Sequence, residues 1–520
     1  METDAGGAFV RVTALLAALL FAVPARAEVE FRYNGSIESD VRFAFPGKDE
    51  PDGVADFRFV RSDTWARFTG KLDVGWSIRA VADVQLLFTG RTGVTGGEEL
   101  VRRVEVDPVQ IESDAVFVEV LDLITEGLDV KVGRQVLRWG TGDQFNPTTN
   151  LNPLDLEDPL KFGERIANEM IVLSYTPPIE YEGDGPAPFD EVSLTVAVAP
   201  FFRPAQLPES ALLAFSDRSQ FNRLVKGDQL KPLLEQEGWY LDAGGKVIYD
   251  VRVDTPEPTF ENIQAAVRLA WAFFGVDMSV SWSHAFHDLP RAEKVYASDL
   301  FLPKVPLAPP TDVKAVLEEL DMSSTTVTNE VHLAYARKDV IGADFSASLD
   351  FLGGLGVWAE FAWTFHDDLY RFTRTSAPYL PVGGGTKVEG VEKHILEREL
   401  AKGGFWKLVA GMDYTIMPWW YVNVQYLHGF PDEFGEDDLK DYFVAGSDFK
   451  MFRDQMLLRL FAIVQVQDQS TVLYPQLSFM FWQNTDITLG ALAYTGGADT
   501  KFGNRLTGPN TVFLKGKLYF

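Results

Sequence analysis

The sequence predicts an all-β protein, a transmembrane antiparallel β-barrel of about 16–18 strands. Three observations lead to this prediction. Long segments alternate between apolar and polar residues, the connections between them fall into a short and a long class, and the chain ends in phenylalanine on an alternating strand. Alternation of this kind is typical of a sheet with lipid on one face and a polar lumen on the other.

The N-terminal segment predicts export. Residues 1–27 contain an apolar run from Val12 to Val23, followed by the small-residue sequence Ala25-Arg26-Ala27. This pattern is typical of a secretory signal peptide with an A-x-A cleavage site. The run is too short for a membrane anchor, because a spanning helix needs about 20 apolar residues. We therefore expect a signal peptide at 1–27 and an outer-membrane barrel at 28–520.

The composition excludes several classes of protein. The 47 Lys and Arg against 75 Asp and Glu give a net charge of −28, which argues against a nucleic-acid partner. The absence of cysteine rules out disulfides and thiolate metal sites. The 39 Phe, 16 Tyr and 12 Trp fit the aromatic girdles of a membrane barrel.

The first alternating segment follows the signal peptide directly. Its apolar face consists of Val29, Phe31, Tyr33, Gly35, Ile37, Val41 and Phe43. The same period recurs in 71–88, 262–275, 276–288, 405–416, 419–430, 454–467, 471–483 and 486–496. Such segments exceed the five or six residues, roughly, of an average soluble strand and suit the about 9–11 residues that cross a bilayer.

The connections between these segments predict short periplasmic turns and long extracellular loops. The short turns are expected at Thr69-Gly70, Phe274-Gly275 and Met417-Pro418. The long polar loops are expected at 89–110, 202–261, 289–326, 367–401 and 431–450. Helical spacing of apolar residues inside the loops predicts a few short helices, within 208–239, 311–321 and 387–401. These helices either cap the loops or fold into the barrel mouth.

The last strand gives the most specific prediction of side-chain direction. Val512, Leu514, Leu518 and Phe520 are expected to face lipid, and Lys515 and Lys517 to face the lumen. A terminal aromatic on such a strand resembles the C-terminal signal by which the barrel assembly machinery recognises outer-membrane barrels. Trp419 and Trp420, beside a turn, are expected in the membrane-interface girdle.

One stretch departs from the repeating pattern. A strand is expected from Leu128 to Trp139, with a bulge near Gly133, followed by a loop rich in Asn, Pro, Gly and Asp. The string GRQ…RWG…FNPTTNLNPLD resembles a Gram-negative outer-membrane β-barrel family of unknown function, which is porin-like and distantly similar to alginate-export-type barrels. Some members are associated with transporters of the resistance-nodulation-division class. The resemblance implies a barrel that admits or moves a solute, and it names no substrate.

This stretch supplies the candidate pore residues, and two interpretations stay open for them. The candidates are Arg134, Arg138, Trp139, Asp143, Asn146, Asn150 and Asp155. In one interpretation the loop folds into the lumen and these side chains line a constriction. In the other, Arg134 and Asp155 tie the loop to the wall and the Asn-Pro pairs only shape turns.

Catalytic and metal-binding patterns are missing from the sequence. No H-E-x-x-H, no G-x-S-x-G and no phosphate-binding glycine loop occurs. The acidic run from Asp432 to Asp438 suits a solvated loop at a lipopolysaccharide surface, or a weak calcium site. We therefore expect no enzyme, no cofactor and no metal, with an outer-membrane hydrolase as the third alternative.

The leading functional hypothesis is an outer-membrane porin-like channel or transporter for an unidentified solute. The alternative is a plugged outer-membrane partner of an inner-membrane exporter of hydrophobic or lipid-like substrates. The expected partners are outer-membrane lipid and lipopolysaccharide, the barrel assembly machinery during biogenesis, and the inner-membrane exporter in the alternative.

Overall fold

The computed structural model describes most of the chain after the predicted signal peptide. The described residues are 28–45, 57–90, 94, 99–142, 144–178, 189–208, 241, 246–297, 302–303, 326–376, 379–380, 392–497, 499–504 and 508–520. Three predicted segments lie outside the described residues. They are the signal peptide at 1–27, the helix at 311–321 and, apart from Pro208, the helices within 208–239.

The wall is a single antiparallel sheet of eighteen strand positions. Its strands are β1 (Val29–Ala44), β2 (Arg58–Arg61), β3 (Asp63–Val74), β4 (Ile78–Thr89), β5 (Val109–Glu112), β6 (Val116–Val120), β7 (Leu128–Gln135), β8 (Asn168–Tyr175), β9 (Phe189–Ala199), β11 (Gln264–Phe273), β12 (Val276–Phe286), β16 (Arg337–Leu349), β17 (Leu355–His366), β21 (Gly403–Met417), β22 (Trp420–His428), β23 (Asp441–Met451), β24 (Met456–Gln465), β25 (Thr471–Leu473), β26 (Gln476–Trp482), β27 (Thr485–Thr495) and β28 (Thr511–Tyr519). In three places two consecutive strands occupy a single position around the barrel, namely β2 with β3, β5 with β6, and β25 with β26. The sheet closes because β1 pairs with both β3 and β28.

The two ends of the barrel differ as the sequence predicts, but the predicted loop at 431–450 is wrong in its second half, because Asp441–Met451 is β23. At the turn end lie tight connections, including Phe274-Gly275 between β11 and β12 and Pro418-Trp419 between β21 and β22. The predicted turn at Thr69-Gly70 is wrong, because both residues lie within β3 and pair with β4. The actual turn begins at Gly75, whose positive φ of 61° suits glycine. The opposite end, the loop end, carries the long connections.

The outer face of the wall is an apolar band. Exposed large apolar side chains include Phe31, Phe68, Val84, Ile171, Leu269, Val280, Ile341, Phe345, Met412, Val424, Phe443, Leu489 and Leu514. Exposed aromatic residues mark the tight turns, namely Trp76, Phe274, Phe351, Trp419, Phe452 and Trp482. A closed sheet with this band satisfies its backbone internally and is stable in lipid. The chain is an outer-membrane β-barrel.

The terminal strand confirms the predicted side-chain directions. Leu514 and Leu518 are exposed on the outer face. Lys515 and Lys517 point inward, where their ammonium groups lie 3.5 and 3.3 Å from the carboxylate of Glu38. Phe520 extends the β1–β28 pairing by exchanging backbone hydrogen bonds of 2.8 and 2.9 Å with Gly35.

A second sheet stands at the loop end. It consists of β10 (Lys246–Val253), β13 (Arg291–Ala297), β15 (Thr326–Ala334), β18 (Leu369–Ser376) and β20 (Glu392–Leu400). The helix predicted within 387–401 is therefore wrong, because its described part is β20, which pairs antiparallel with β18. The short strands β14 (Leu302–Pro303) and β19 (Tyr379–Leu380) pair with each other separately.

The helical elements that are described over their full length are single turns. They are the α-helix Arg103–Val106 and the 3₁₀ turns Glu99–Val101, Pro159–Lys161, Phe260–Asn262, Asp350–Leu352 and Glu436–Asp438. Among the described residues no helix is long and apolar enough to cross a membrane.

Candidate functional site: a loop that crosses the lumen

The connection between β7 and β8, residues 136–167, folds inside the barrel and is called the inner loop. Its side chains Phe145, Leu151 and Leu154 are almost fully buried. The strand before it ends at Gln135, four residues earlier than the sequence predicts. The predicted bulge is wrong, because β7 pairs with β6 and β8 without a shift in register, and Gly133 adopts a positive φ of 134° instead.

The first attachment of the inner loop is to Glu360 on β17. Its carboxylate accepts hydrogen bonds from the backbone N–H groups of Gly142 and Thr148, both at 2.9 Å. It also accepts the Thr148 hydroxyl at 2.7 Å and the Asn146 amide at 3.2 Å. Gly140 makes this approach possible, because a Cβ at that position would overlap the Glu360 carboxylate. Glu360 therefore holds the first half of the loop against β17.

The second attachment is a buried ion-pair cluster at β1. Arg42 donates to Asp158 of the inner loop at 2.6 and 2.8 Å and to Asp40 at 2.6 and 3.0 Å. All three side chains are buried. Beside them, Arg61 on β2 forms an ion pair with Glu157 of the loop. An arginine held by two carboxylates gives both strength and a defined geometry.

These two attachments lie almost opposite each other around the wall. On one path from β1 to β17 the intervening positions are β3, β4, β6, β7, β8, β9, β11, β12 and β16; on the other they are β28, β27, β26, β24, β23, β22 and β21. The inner loop therefore crosses the lumen rather than lining one side of it.

An aromatic cluster holds the loop on a third side. Phe145 and Phe162 of the inner loop pack against each other and against Phe430, which follows β22, with ring centroids 5.4 to 5.6 Å apart. Phe430 continues the cluster to Tyr442 and Phe502. Such pairs add to the free energy gained by burying the rings.

The acidic run at 432–438 proves to be partly structural. Glu433 is buried and accepts hydrogen bonds from the backbone of Phe430 and Lys440 and from the Tyr442 hydroxyl. Lys501 lies 2.8 Å from Asp432 and 3.4 Å from Glu433. The buried Glu433 therefore braces the loop end, whereas Asp432 keeps an exposed side chain that pairs with Lys501.

Several titratable groups of the inner loop and its surroundings have shifted pKa values. Burial raises the pKa of Asp158, but the hydrogen bond and charge of Arg42 outweigh burial and leave its pKa below the ordinary value. Asp288, which accepts the Leu154 N–H at 2.8 Å, likewise has a net lowered pKa, because His287, Lys338 and Arg165 outweigh its burial. Burial lowers the pKa of the Arg165 guanidinium, with a contribution from Arg138.

The predicted site residues at the start of the loop take three different roles. Arg134 donates to the Ser113 carbonyl at 2.8 Å and to Glu169 at 3.1 Å, so it ties β7 to its neighbours. Trp139 is buried against the inner wall, in a cluster that includes Leu151 and Met170. Arg138 is exposed and forms no ion pair with any described residue.

The remaining predicted residues mainly shape the loop. Asn146 bonds to Glu360, and Asn150 donates to the carbonyls of Pro147 and Thr148 at 3.1 and 3.0 Å. Asp155 accepts the Glu157 N–H at 3.1 Å and pairs through its backbone with Gln206. Asp143 lies outside the described residues.

Sequence reasoning missed the wall residues that fix the loop. Glu360, Arg42 and Asp158 were not among the candidates. A signal existed for Glu360, a single acid within the otherwise apolar run from Val357 to Ala362. No signal in the sequence joins Arg42 to Asp158, which lie 116 residues apart. Among the described residues, no group of three His, Asp or Glu side chains is placed to hold a metal ion.

The inner wall near the turn end carries charges that stay partly exposed. Arg79 on β4 lies 2.8 Å from Asp73 and 3.5 Å from Glu119, and Lys131 lies 3.1 Å from Glu119. On the far side of the lumen, Arg459 is paired with Asp448. This half of the lumen is a polar surface of paired charges.

Comparison with known proteins adds little beyond the barrel architecture. No family model matches the chain, and no curated protein matches it. Among solved structures, OmpT, an outer membrane protein of Vibrio cholerae in a trimer form, is 9% identical with a TM-score of 0.36, over 95% of this chain and 99% of that chain. A Rhodopseudomonas blastica porin variant is 9% identical with a TM-score of 0.34, over 94% and 100%. Salmonella typhi OmpF in complex with daunomycin is 8% identical with a TM-score of 0.35, over 94% and 97%. Similarity at this level says nothing about the solute of this chain.

Proposed function

We propose that this chain is an outer-membrane channel whose lumen is narrowed by the inner loop, so that a solute passes between the loop and the wall. The observation that supports it is the attachment of the loop to two almost opposite strands through Glu360 and Arg42. Barrels of 16 to 18 strands, roughly, otherwise leave an open aqueous channel. A loop fixed across such a barrel sets its free cross-section.

The sequence candidates divide accordingly. Arg138, exposed and without an ion pair to any described residue, is the candidate most suited to meet the solute. Trp139, Asn146, Asn150 and Asp155 act indirectly, because their contacts hold the shape of the loop.

A second function is favoured by a separate observation, the close packing of the inner loop. Thr148, Asn152 and Asp158 are almost fully buried although they lie inside a barrel. Packing of this kind also suits a plug. In that case the protein is the outer-membrane partner of an inner-membrane exporter, and the partner opens the barrel from the turn end.

Single-channel conductance of the refolded protein in a planar bilayer separates these functions. The test variant is Glu360→Gln. The Glu360 carboxylate accepts four hydrogen bonds, and the amide NH₂ of glutamine would instead face groups that themselves donate. The matched control is Glu126→Gln, because Glu126 is an exposed acid in the connection between β6 and β7 and does not belong to the paired charges of the lumen. For a channel we expect discrete steps in the wild type, larger or flickering steps in E360Q, and wild-type step size in E126Q.

Other outcomes decide against the channel. A silent wild type with a conducting E360Q would favour the plugged partner. Silence from both, in protein shown by heat-modifiable migration to be folded, would overturn the proposal of a channel.

A further inference from the structure

A chamber of about 690 Å³ lies between the inner loop and the wall formed by β22 to β27. Pockets of about 300–1,000 Å³ are the usual size for small organic ligands. The chamber is distinct from the attachments at Glu360 and Arg42, and none of the predicted pore residues that the structure describes lines it.

The part of the chamber toward the loop end is mainly apolar, although the ion pair of Lys501 and Asp432 also lines it. Its lining comes from the aromatic cluster and from inward side chains of the wall, namely Phe145, Phe162, Phe430, Phe461, Ile463, Val472, Leu492 and Phe502. Ile463 lies two residues before the loop end of β24, which places these groups near the barrel mouth.

The part toward the turn end is polar. Asn423, Asp448, Arg459 and Gln476 line it. Asp448 lies three residues before the turn end of β23, so this part adjoins the polar lumen of the turn-end half. The chamber thus changes from apolar to polar along the barrel axis.

The charged groups of the chamber balance one another. Arg459 forms a two-point ion pair with Asp448, at 2.8 and 2.6 Å. Lys501 is held by Asp432 at 2.8 Å, and Glu433, 3.4 Å from Lys501, is outside the chamber lining and accepts two backbone N–H groups. A ligand with a net charge would find no unbalanced opposite charge among these groups, and it would lose its hydration on entry.

We propose that the chamber binds an uncharged amphiphile. The apolar body lies among the phenylalanines, and a hydroxyl or amide head lies at Asn423, Gln476 and the Arg459–Asp448 pair. The inference rests on the proposed function only in treating this amphiphile as the solute of the channel, because binding itself requires no conduction.

The test uses a long-chain alcohol that carries a photoreactive diazirine, with the wild-type protein in lipid nanodiscs. Labelled residues are mapped by peptide mass spectrometry. We expect labels on the inward residues Phe461 and Ile463, in addition to background labelling by lipid-dissolved probe at outward residues such as Phe443 and Val464. An unlabelled alcohol should compete for the inward sites, and the carboxylic acid of equal length should not.

Gly446→Leu and Gly516→Leu form a matched pair. Gly446 lines the chamber, and a Cβ there would meet its nearest neighbours only at 3.9 Å, so a leucine enters the cavity without a backbone clash. Gly516, between the inward Lys515 and Lys517, faces outward into open space. We expect G446L to reduce inward labelling about tenfold by filling the site, and G516L to leave it unchanged.

Asp448→Asn gives an independent test that needs no change in cavity size. It leaves the charge of Arg459 unbalanced, so the carboxylic acid should now compete better than the alcohol. Labels confined to outward residues, or equal competition by alcohol and acid in the wild type, would overturn the proposal. Chamber labelling in a protein that conducts no ions would refute the proposed channel and support the proposed binding site. Conduction without chamber labelling would support the channel and refute the binding site.

Discussion

The two halves of the lumen use the same kind of interaction in opposite surroundings. Near the loop end, Arg42 joins Asp40 and Asp158, and the side chains are 6%, 1% and 2% exposed. Near the turn end, Arg79 joins Asp73 and Glu119, and the side chains are 39%, 15% and 15% exposed. The residues are alike, and the inner loop makes the difference, because its Asp158 packs against Arg42 in the loop-end half.

The difference in burial indicates a different role for each arginine. In the buried cluster the charges have lost their water and depend on one another, so removal of one leaves the others uncompensated. In the exposed cluster water and salt replace a lost partner at little cost. Arg42 therefore holds structure, whereas Arg79 contributes to the electric field inside the lumen.

The largest expected effect comes from breaking each cluster in turn. Arg42→Gln should lower the free energy of unfolding by about 3–5 kcal/mol, because Asp40 and Asp158 are left buried with the arginine gone. Arg79→Gln should cost at most about 1 kcal/mol. Denaturant unfolding of the refolded barrels measures both, and limited proteolysis within 136–167 reports release of the loop. Equal losses of unfolding free energy in the two variants would mean that water reaches the Arg42 cluster as readily as the Arg79 cluster.

A smaller effect comes from two glycines with the same backbone strain. Gly140 and Gly275 have φ of 88° and 78°. Alanine in the left-handed region costs about 1–2 kcal/mol at either position. At Gly275 nothing lies within 4 Å of an added Cβ, whereas at Gly140 the Cβ would overlap the carboxylate of Glu360. Gly140→Ala should therefore cost about 1–3 kcal/mol more than Gly275→Ala.

The measurement is again the unfolding free energy, with conductance as a second readout. G140A should also change the single-channel step, because it displaces the inner loop from Glu360, and G275A should not. If the two variants lose the same stability, the attachment at Glu360 does not fix the loop.

The sequence predicts the wall well because the wall obeys a local rule. A period of two assigns Leu514 and Lys515 to opposite faces whatever the distant partners are. The same rule holds for β20, but the spacing of the apolar residues within 387–401 also suits a helix. Glu397 and Glu399, two residues apart, share the strand face that holds the buried Arg371. A sheet built within loops is hard to predict because its partner strands are far apart in sequence.

The candidate site is predicted less well, for a different physical reason. The composition of the Asn- and Pro-rich loop indicates turns, and Asn150 does shape one. What holds the loop across the lumen is set by partners such as Glu360, more than 200 residues away. Strand alternation shows that Glu360 points inward, and it cannot show that two backbone N–H groups of the loop will meet it there.

The smallest expected effect comes from a change of pH, which tests the buried cluster at Arg42. Arg42 lowers the pKa of Asp158 against the effect of burial, and Asp288 is lowered as well. A carboxyl with a lowered pKa stabilises the fold above its unfolded pKa of about 4, and that stabilisation is lost as the pH falls through the lower folded value. Burial raises the pKa of Asp155 and Glu164 in the same loop. Their contribution has the opposite sign and favours the fold as the pH falls from neutral.

Burial lowers the pKa of His287 to about 4, so the wild type and the variant Asp158→Asn share a loss of stability as the pH falls below about 6.5. The difference in protease resistance of the inner loop between these two proteins isolates Asp158, and we expect that difference to change only below about pH 4, where the ionised carboxyl is lost. A difference that already changes at pH 5 would mean that Arg42 does not keep Asp158 ionised. The loop-end cluster would then behave like the exposed one, and its burial would not distinguish the two halves of the lumen.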